Sequence, residues 1–278
     1  MKKECCLRFQ RVTAEGAERA DAAEPGSWLF VLHGIYGAGR NWRSVANRLV
    51  GARPDWGVVL VDLRQHGGST GFPPPHTLEA AAEDIQRLVD AEGHYPRAIL
   101  GHSFGGKVAL VYAREAHPAP EQVWVVDSTP ASRPPGGTAW TMLDVLRDHP
   151  GPFPDRATAR AALEARSLPG AVARWMTTNL DRATDGSYAW RIDPLDMEWL
   201  LLDFFETDAW DVVEAPPAGA AIHVVKANES SVLDSEAMER IVLAADANGR
   251  VHLHHLEGGH WVNSDNPDGL LRLLSTEL

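Results

Sequence analysis

Cysteine is nearly missing from this 278-residue chain: its two cysteines, Cys5 and Cys6, are adjacent. Neighbouring cysteines would close a strained ring, so a stabilising disulfide is not expected. With no third or fourth thiolate, a cysteine-based structural zinc site is excluded. Long apolar runs are missing as well. Nothing approaches the roughly 18 consecutive apolar residues of a membrane-spanning helix. The opening MKKECCLRFQRV has two lysines but lacks the apolar stretch of a secretory signal. A cytoplasmic protein without membrane insertion is expected. Positive charge is scarce: 26 Lys and Arg against 38 Asp and Glu give a formal charge of −12 at pH 7. That balance opposes attraction to a phosphate backbone or an anionic membrane face. There is no basic stripe, and no nucleic-acid partner is expected.

What remains is an ordinary globular composition, 44% hydrophobic and 23% charged. The length suffices for one large α/β domain carrying a smaller insertion. Short runs rich in Val, Leu and Ile recur between glycine- and proline-marked breaks: 28–34, 57–63, 97–103, 122–128 and 221–227. Each is too short for a typical helix and almost continuously apolar, as a strand buried on both faces should be. Helix-like stretches alternate with them at 41–50, 78–92 and 105–116. The alternation implies right-handed crossovers and a mainly parallel sheet flanked by helices. A first strand around 5–13 alternates more and fits an antiparallel edge. The rhythm breaks after Thr129. From about 131 to 215 there is no convincing buried strand, only a Pro/Gly-rich linker and helical stretches near 138–149, 156–166, 169–180 and 194–207. The expected organisation is an α/β core over 1–130, a helical cap over 131–215 and the rest of the core over 216–278. The cap should sit at the strands' C-terminal edge, where open α/β sheets bind ligands.

Gly101-His102-Ser103-Phe104-Gly105 fits G-x-S-x-G, a loose pattern in a chain with 24 glycines. Context sharpens it, because RAIL enters as a strand and GGKVALVYARE leaves as a helix. So sharp a strand-to-helix turn strains the serine backbone and needs small neighbours, which Gly101, Gly105 and Gly106 supply. The turn would lift the Ser103 hydroxyl clear of the sheet, at a helix N-terminus.

Four ordered motifs carry a resemblance from about residue 28 to the C-terminus. GHSFGGK resembles the nucleophile elbow of α/β-hydrolases and FVLHGIYGAGRNW their oxyanion loop. VDLRQHGGS resembles the loop after the next strand, and LEGGHWVNSDNP the C-terminal histidine loop. The pattern is similar to the small carboxylesterases with compact helical caps. The resemblance implies a serine hydrolase acting on small-molecule carboxylic esters, with no cofactor and no metal. It makes Ser103 the nucleophile and His260, in the turn after the strand RVHLHHL, the general base. It implies oxyanion donors at the backbone amides of Phe104 and Ile35, with Tyr36 as the fallback. His33 reads as a loop brace, His102 as a neighbour in the elbow and His66 as a structural residue near the cleft.

The acid is less clear-cut. Most of the superfamily takes it from the loop after the penultimate strand, where Ser230 stands in the usual aspartate position. Other members take it from the end of the preceding strand, here Asp127, which also fits a turn before Pro130. The small esterases pair that aspartate with a serine in the later loop, a role for Ser230 in orienting the Asp127–His260 pair. The order of preference is Asp127, then Asp234, then Glu229. An HxHH cluster at His252, His254 and His255 has no accompanying carboxylate or cysteine pattern and does not read as a metal site. In the insertion, Trp175, Met176, Trp199, Leu200, Phe204 and Phe205 either line an acyl pocket or, for most of them, pack the cap onto the core. A compact acyl group is expected. The alternatives are a carbon–carbon bond hydrolase or related lyase, which would want a cleft cation such as Arg133, Arg174 or Arg191, and a catalytically idle ligand receptor.

Overall fold

The apolar runs become the strands of one sheet. The computed structural model describes residues 6–14 and 25–278; Cys5 and the start of the first expected strand lie outside them. Among the described residues the strands are β1 (Phe9–Val12), β2 (Ser27–Leu32), β3 (Trp56–Val61), β4 (Ala98–His102), β5 (Gln122–Val126), β6 (Leu180–Arg182), β7 (Tyr188–Trp190), β8 (Ala221–Ala227) and β9 (Val251–Leu256). The helices are α1 (Arg43–Ala52), α2 (Leu78–Glu92), α3 (Phe104–Glu115), α4 (Gly137–Asp148), α5 (Arg156–Ala165), α6 (Gly170–Met176), α7 (Pro194–Glu206), α8 (Trp210–Glu214), α9 (Ser235–Ala247), α10 (Val262–Asp265) and α11 (Pro267–Glu277).

Seven strands form a sheet in the order β1-β3-β2-β4-β5-β8-β9. Only β1, at the edge, is antiparallel to its neighbour. Every residue of β2 and β3 is buried, because helices cover both faces of a parallel sheet. Successive side chains of β2 serve opposite faces. Phe30 and Leu32 join a core shared with α2, α3 and the insertion, while Leu29 and Val31 pack against α1 and α11. No helix among the described residues is long and apolar enough to cross a membrane.

Between β5 and β8 lie α4 to α8 and an antiparallel hairpin of β6 and β7. The stretch expected as one helix over 169–180 ends at Met176, passes through a 3-10 turn at Thr177–Asn179 and enters the hairpin. The insertion is tied to the core at several buried points. On α7, Asp203 accepts the Leu78 amide at 2.7 Å, and Asp196 accepts from Gln65 at 2.7 Å beside His76. Lys107 on α3, fully buried, donates to the carbonyls of Ala131, Phe204 and Thr207 at 2.9, 2.6 and 2.9 Å. Those three acceptors match the three donors of an ammonium and fasten the exit of the insertion beside its entry.

Candidate active site

Ser103 stands where β4 ends and α3 begins, at φ 53° and ψ −119°. Such angles are costly for a residue with a Cβ, and the surroundings must enforce them. They do so through two glycines. A Cβ on Gly101 would fall 1.9 Å from the Gly105 carbonyl oxygen, and one on Gly105 would fall 2.5 Å from that of His33. The Ser103 amide donates to the Val126 carbonyl at 3.0 Å, fastening the turn to β5.

The loop after β9 brings His260 to the serine, with Nε2 3.0 Å from Ser103 Oγ. On the other side of the ring, Nδ1 lies 2.7 Å from Asp127 Oδ2. Asp127 follows β5 directly, at φ 44°, and is wholly buried. Its Oδ1 accepts the Ala227 amide at 3.2 Å, and Ser230 hydrogen-bonds to the same carboxylate. Burial alone would raise the Asp127 pKa, but the bonds from His260, Ser230 and Ala227 outweigh it and hold the carboxyl below its ordinary value. An ionised carboxylate can only accept, so Nδ1 carries the proton and the Nε2 lone pair faces the serine hydroxyl. His102 holds the loop from beneath, its Nε2–H donating to the His260 carbonyl at 2.7 Å. Burial and the neighbouring His260 lower the His102 pKa to about 3.

The loop after β2 offers a donor on the opposite side. His33 Nδ1 and the Gly37 amide both donate to the Gly34 carbonyl, at 2.8 and 2.9 Å. In a planar trans peptide the next N–H points the other way, so clamping this carbonyl aims the Ile35 amide away from His33. That brace needs a neutral ring, because His33 Nε2 accepts the Leu63 amide at 3.0 Å. Burial, only partly offset by the bond to Gly34, lowers the His33 pKa to about 4. The Ile35 and Phe104 amides find no acceptor among the described residues, and both residues line the cavity over Ser103. Tyr36, the fallback donor, is already committed: its amide donates to His66 Nε2 at 3.0 Å.

The cavity measures about 670 Å³ and lies between the strand ends and the insertion. Trp175, Phe204 and Phe205 line it together with Met142, Val172 and Leu201. Met176 and Leu200 are instead buried in the core, and Trp199 is exposed and stacked on His76. Of the three arginines considered, Arg133 lines the cavity, whereas Arg191 pairs with Asp181 outside it and Arg174 is not on its wall. Asp234 does not approach His260. It caps α9, accepting the Ala237 amide at 2.9 Å. Glu229 is on the cavity wall but, among the described residues, makes no bond to the imidazole. His252 and His254 share a face of β9 beside His223 of β8; His254 stacks on His223, with His223 Nδ1 3.0 Å from His254 Nε2, and the His252 ring is tilted to it. The His102–His260 contact leaves no sign in the sequence, because the residue before an elbow serine carries no pattern for its partner.

Comparison with known proteins agrees with this architecture. The signature of the alpha/beta hydrolase fold matches residues 27–199. The mouse (Mus musculus) sn-1-specific diacylglycerol lipase ABHD11 is 27% identical over 263 residues, covering 93% of this chain and 82% of that protein. Lipase LipV of Mycobacterium tuberculosis is 27% identical over 257 residues, covering 90% and 92%. Among solved structures, a marine microorganism esterase superposes with a TM-score of 0.82 at 24% identity, covering 99% of this chain and all of its own.

Proposed function

The chain belongs to the alpha/beta hydrolase fold family, and we propose that it is a serine hydrolase cleaving carboxylic esters through an acyl-enzyme. The observation that carries the reading is the unbroken hydrogen-bond chain from Asp127 through His260 to Ser103, facing two uncommitted amides. Ser103 Oγ attacks the ester carbonyl while His260 Nε2 takes its proton. The negative charge that develops on the carbonyl oxygen is met by the Ile35 and Phe104 amides, which are already in place. His260 then protonates the departing alcohol, and water repeats the sequence on the acyl-enzyme. Asp127 keeps the imidazole in the productive tautomer, with Ser230 steadying the carboxylate. Relatives named as lipases support ester chemistry.

Residues 131–215 serve as a cap that limits the site. A cavity of about 670 Å³ walled by aromatic and aliphatic side chains suits esters of small to medium acyl groups. The enzyme acts on small molecules in the cytoplasm and has no nucleic-acid partner, in keeping with its net charge of −12. A second reading, carbon–carbon bond hydrolysis of a dioxo acid or a related lyase reaction, has one observation in its favour. Arg133 is on the cavity wall and takes part in none of the ion pairs formed among the described residues.

Hydrolysis of p-nitrophenyl acetate, butyrate and octanoate tests the first reading. Wild type should turn over the shorter esters best, and Ser103→Ala should lose at least about 10³-fold in kcat. A folded wild type inert on all three would remove the esterase reading and advance the carbon–carbon one.

A further inference from the structure

Tyr36 directly follows Ile35, a cavity-lining residue whose amide has no acceptor among the described residues, yet its own polar atoms are all engaged. It is 1% exposed and adopts φ 62°, a left-handed conformation costly for an aromatic residue. The core holds one of its groups: the amide donates to His66 Nε2 at 3.0 Å. The insertion holds the other two. The Tyr36 carbonyl accepts from Asn179 Nδ2 at 2.8 Å, and the phenol donates to the Ala139 carbonyl at 2.9 Å. Burial raises the pKa of that phenol well above its ordinary value, so it stays a neutral donor.

Asn179 itself leaves no slack. It is 1% exposed, and its own carbonyl accepts the Arg191 amide at 2.8 Å, which anchors it to the hairpin. It comes three residues after α6, which carries Val172 on the cavity wall. Ala139 is in the first turn of α4, which carries Met142 on the same wall. Helix α4 and the turn that leaves α6, two of the segments beside the cavity, are therefore bonded to the residue next to Ile35.

We propose that Asn179 is a positioning residue for the oxyanion hole, acting through Tyr36 to hold the Ile35 amide where the carbonyl oxygen of the substrate becomes negative. The proposal rests on the serine-hydrolase reading above. Without the Asn179 bond, the left-handed Tyr36 loses the partner that fixes its carbonyl, and the Gly37 amide on the same peptide, which clamps the Gly34 carbonyl and so aims the Ile35 amide, is held less firmly. A displaced donor is felt in the transition state and hardly at all in the ground state. Removing one hole donor outright typically costs about 10²–10³ in kcat, so misplacing one should cost less.

The test uses the full chain with p-nitrophenyl butyrate as substrate. Asn179→Asp keeps the shape and removes the donor, and Asn179→Ala removes both. Each should lower kcat by about 10- to 100-fold and leave KM within about twofold. Tyr36→Phe, which loses only the bond to Ala139, should show a smaller fall of the same kind. Arg40→Ala removes an exposed contact from the same loop to the Thr178 carbonyl and should leave kcat unchanged.

An alkyl trifluoromethyl ketone separates positioning from mere destabilisation. Ser103 Oγ adds to its carbonyl carbon, the serine proton passes to His260, and the carbonyl oxygen becomes the anion the hole must bind. Its affinity should fall in step with kcat across the variants, while inhibition by butyrate, the product, does not change. Thermal unfolding confirms that each variant is folded, and Tyr36→Phe carries the test if the Asn179 variants are not. Folded variants with unchanged kcat, a loss borne by KM, unchanged ketone affinity or an equal loss in Arg40→Ala would overturn the proposal. A wild type inactive on the ester and unreactive with the ketone would instead overturn the serine-hydrolase reading beneath it.

Discussion

Asp127 directly follows β5 and Asp234 directly precedes α9, and their surroundings give the two carboxylates opposite work. Asp127 is buried against an imidazole and held by the Ala227 amide and Ser230. Asp234 is exposed and spends its carboxylate on the first turn of α9. Replacing Asp127 by Asn would turn an acceptor into a donor beside Nδ1 and favour the tautomer whose Nε2 cannot take a proton. Asp127→Asn should therefore lower kcat by about 10⁴. Asp234→Asn should leave kcat unchanged, since asparagine caps helices as well as aspartate does. Steady-state kinetics on both variants checks this, and the reverse result would move the acid to the later loop. Sequence alone brought the acid down to a short ranking, because both loops carry an aspartate in a plausible place. What it lacks is the distance across two parallel strands, and that distance brings Asp127 to His260.

At the scale of elements, the ends of adjacent strands deliver buried histidines. His102 closes β4, His33 follows β2 and His66 is in the loop after β3. Burial holds their pKa values at about 3, 4 and 3, below the ordinary 6.5. The sign follows from linkage. Below pH 6.5 the unfolded chain takes up protons on these three rings that the native protein does not bind, so stability falls as pH falls toward 4 and is fully present above 6.5. The thermal midpoint should decline steeply between pH 6.5 and 4.5, and His102→Gln should flatten the slope by about one proton. A midpoint independent of pH across that window would contradict the burial assigned to these rings.

Element legibility followed the same logic of burial. Strands covered on both faces announce themselves as unbroken apolar runs, and β2, β3, β4, β5 and β8 fall where the runs are. The hairpin of β6 and β7 is three residues per strand and mostly uncovered, so it leaves no apolar signature. Helix α9 escaped for a different reason. It buries only Ala237, Ile241 and Ala244, a narrow stripe, while Val242 and Leu243 are 43% and 67% exposed and blur its period.

Across the whole molecule, the strand ends of the sheet hold Ser103, His260 and Asp127 together, and an insertion between β5 and β8 supplies much of the cavity wall beside them. The break in rhythm after Thr129 made that insertion readable. The bonds by which Asn179, Asp196 and Asp203 grip the core were not, because each is a single polar residue whose partner is more than 100 positions away. The central claim is that Ser103, activated by His260, is a nucleophile facing a preformed oxyanion hole. Intact-protein mass spectrometry after treatment with a fluorophosphonate tests it most directly. Wild type should gain one phosphonyl group, located on Ser103 by peptide mapping, while Ser103→Ala stays unlabelled and His260→Ala reacts far more slowly. A folded wild type that is not labelled, or a Ser103→Ala variant labelled as readily, would contradict the account and favour a ligand receptor on the same scaffold.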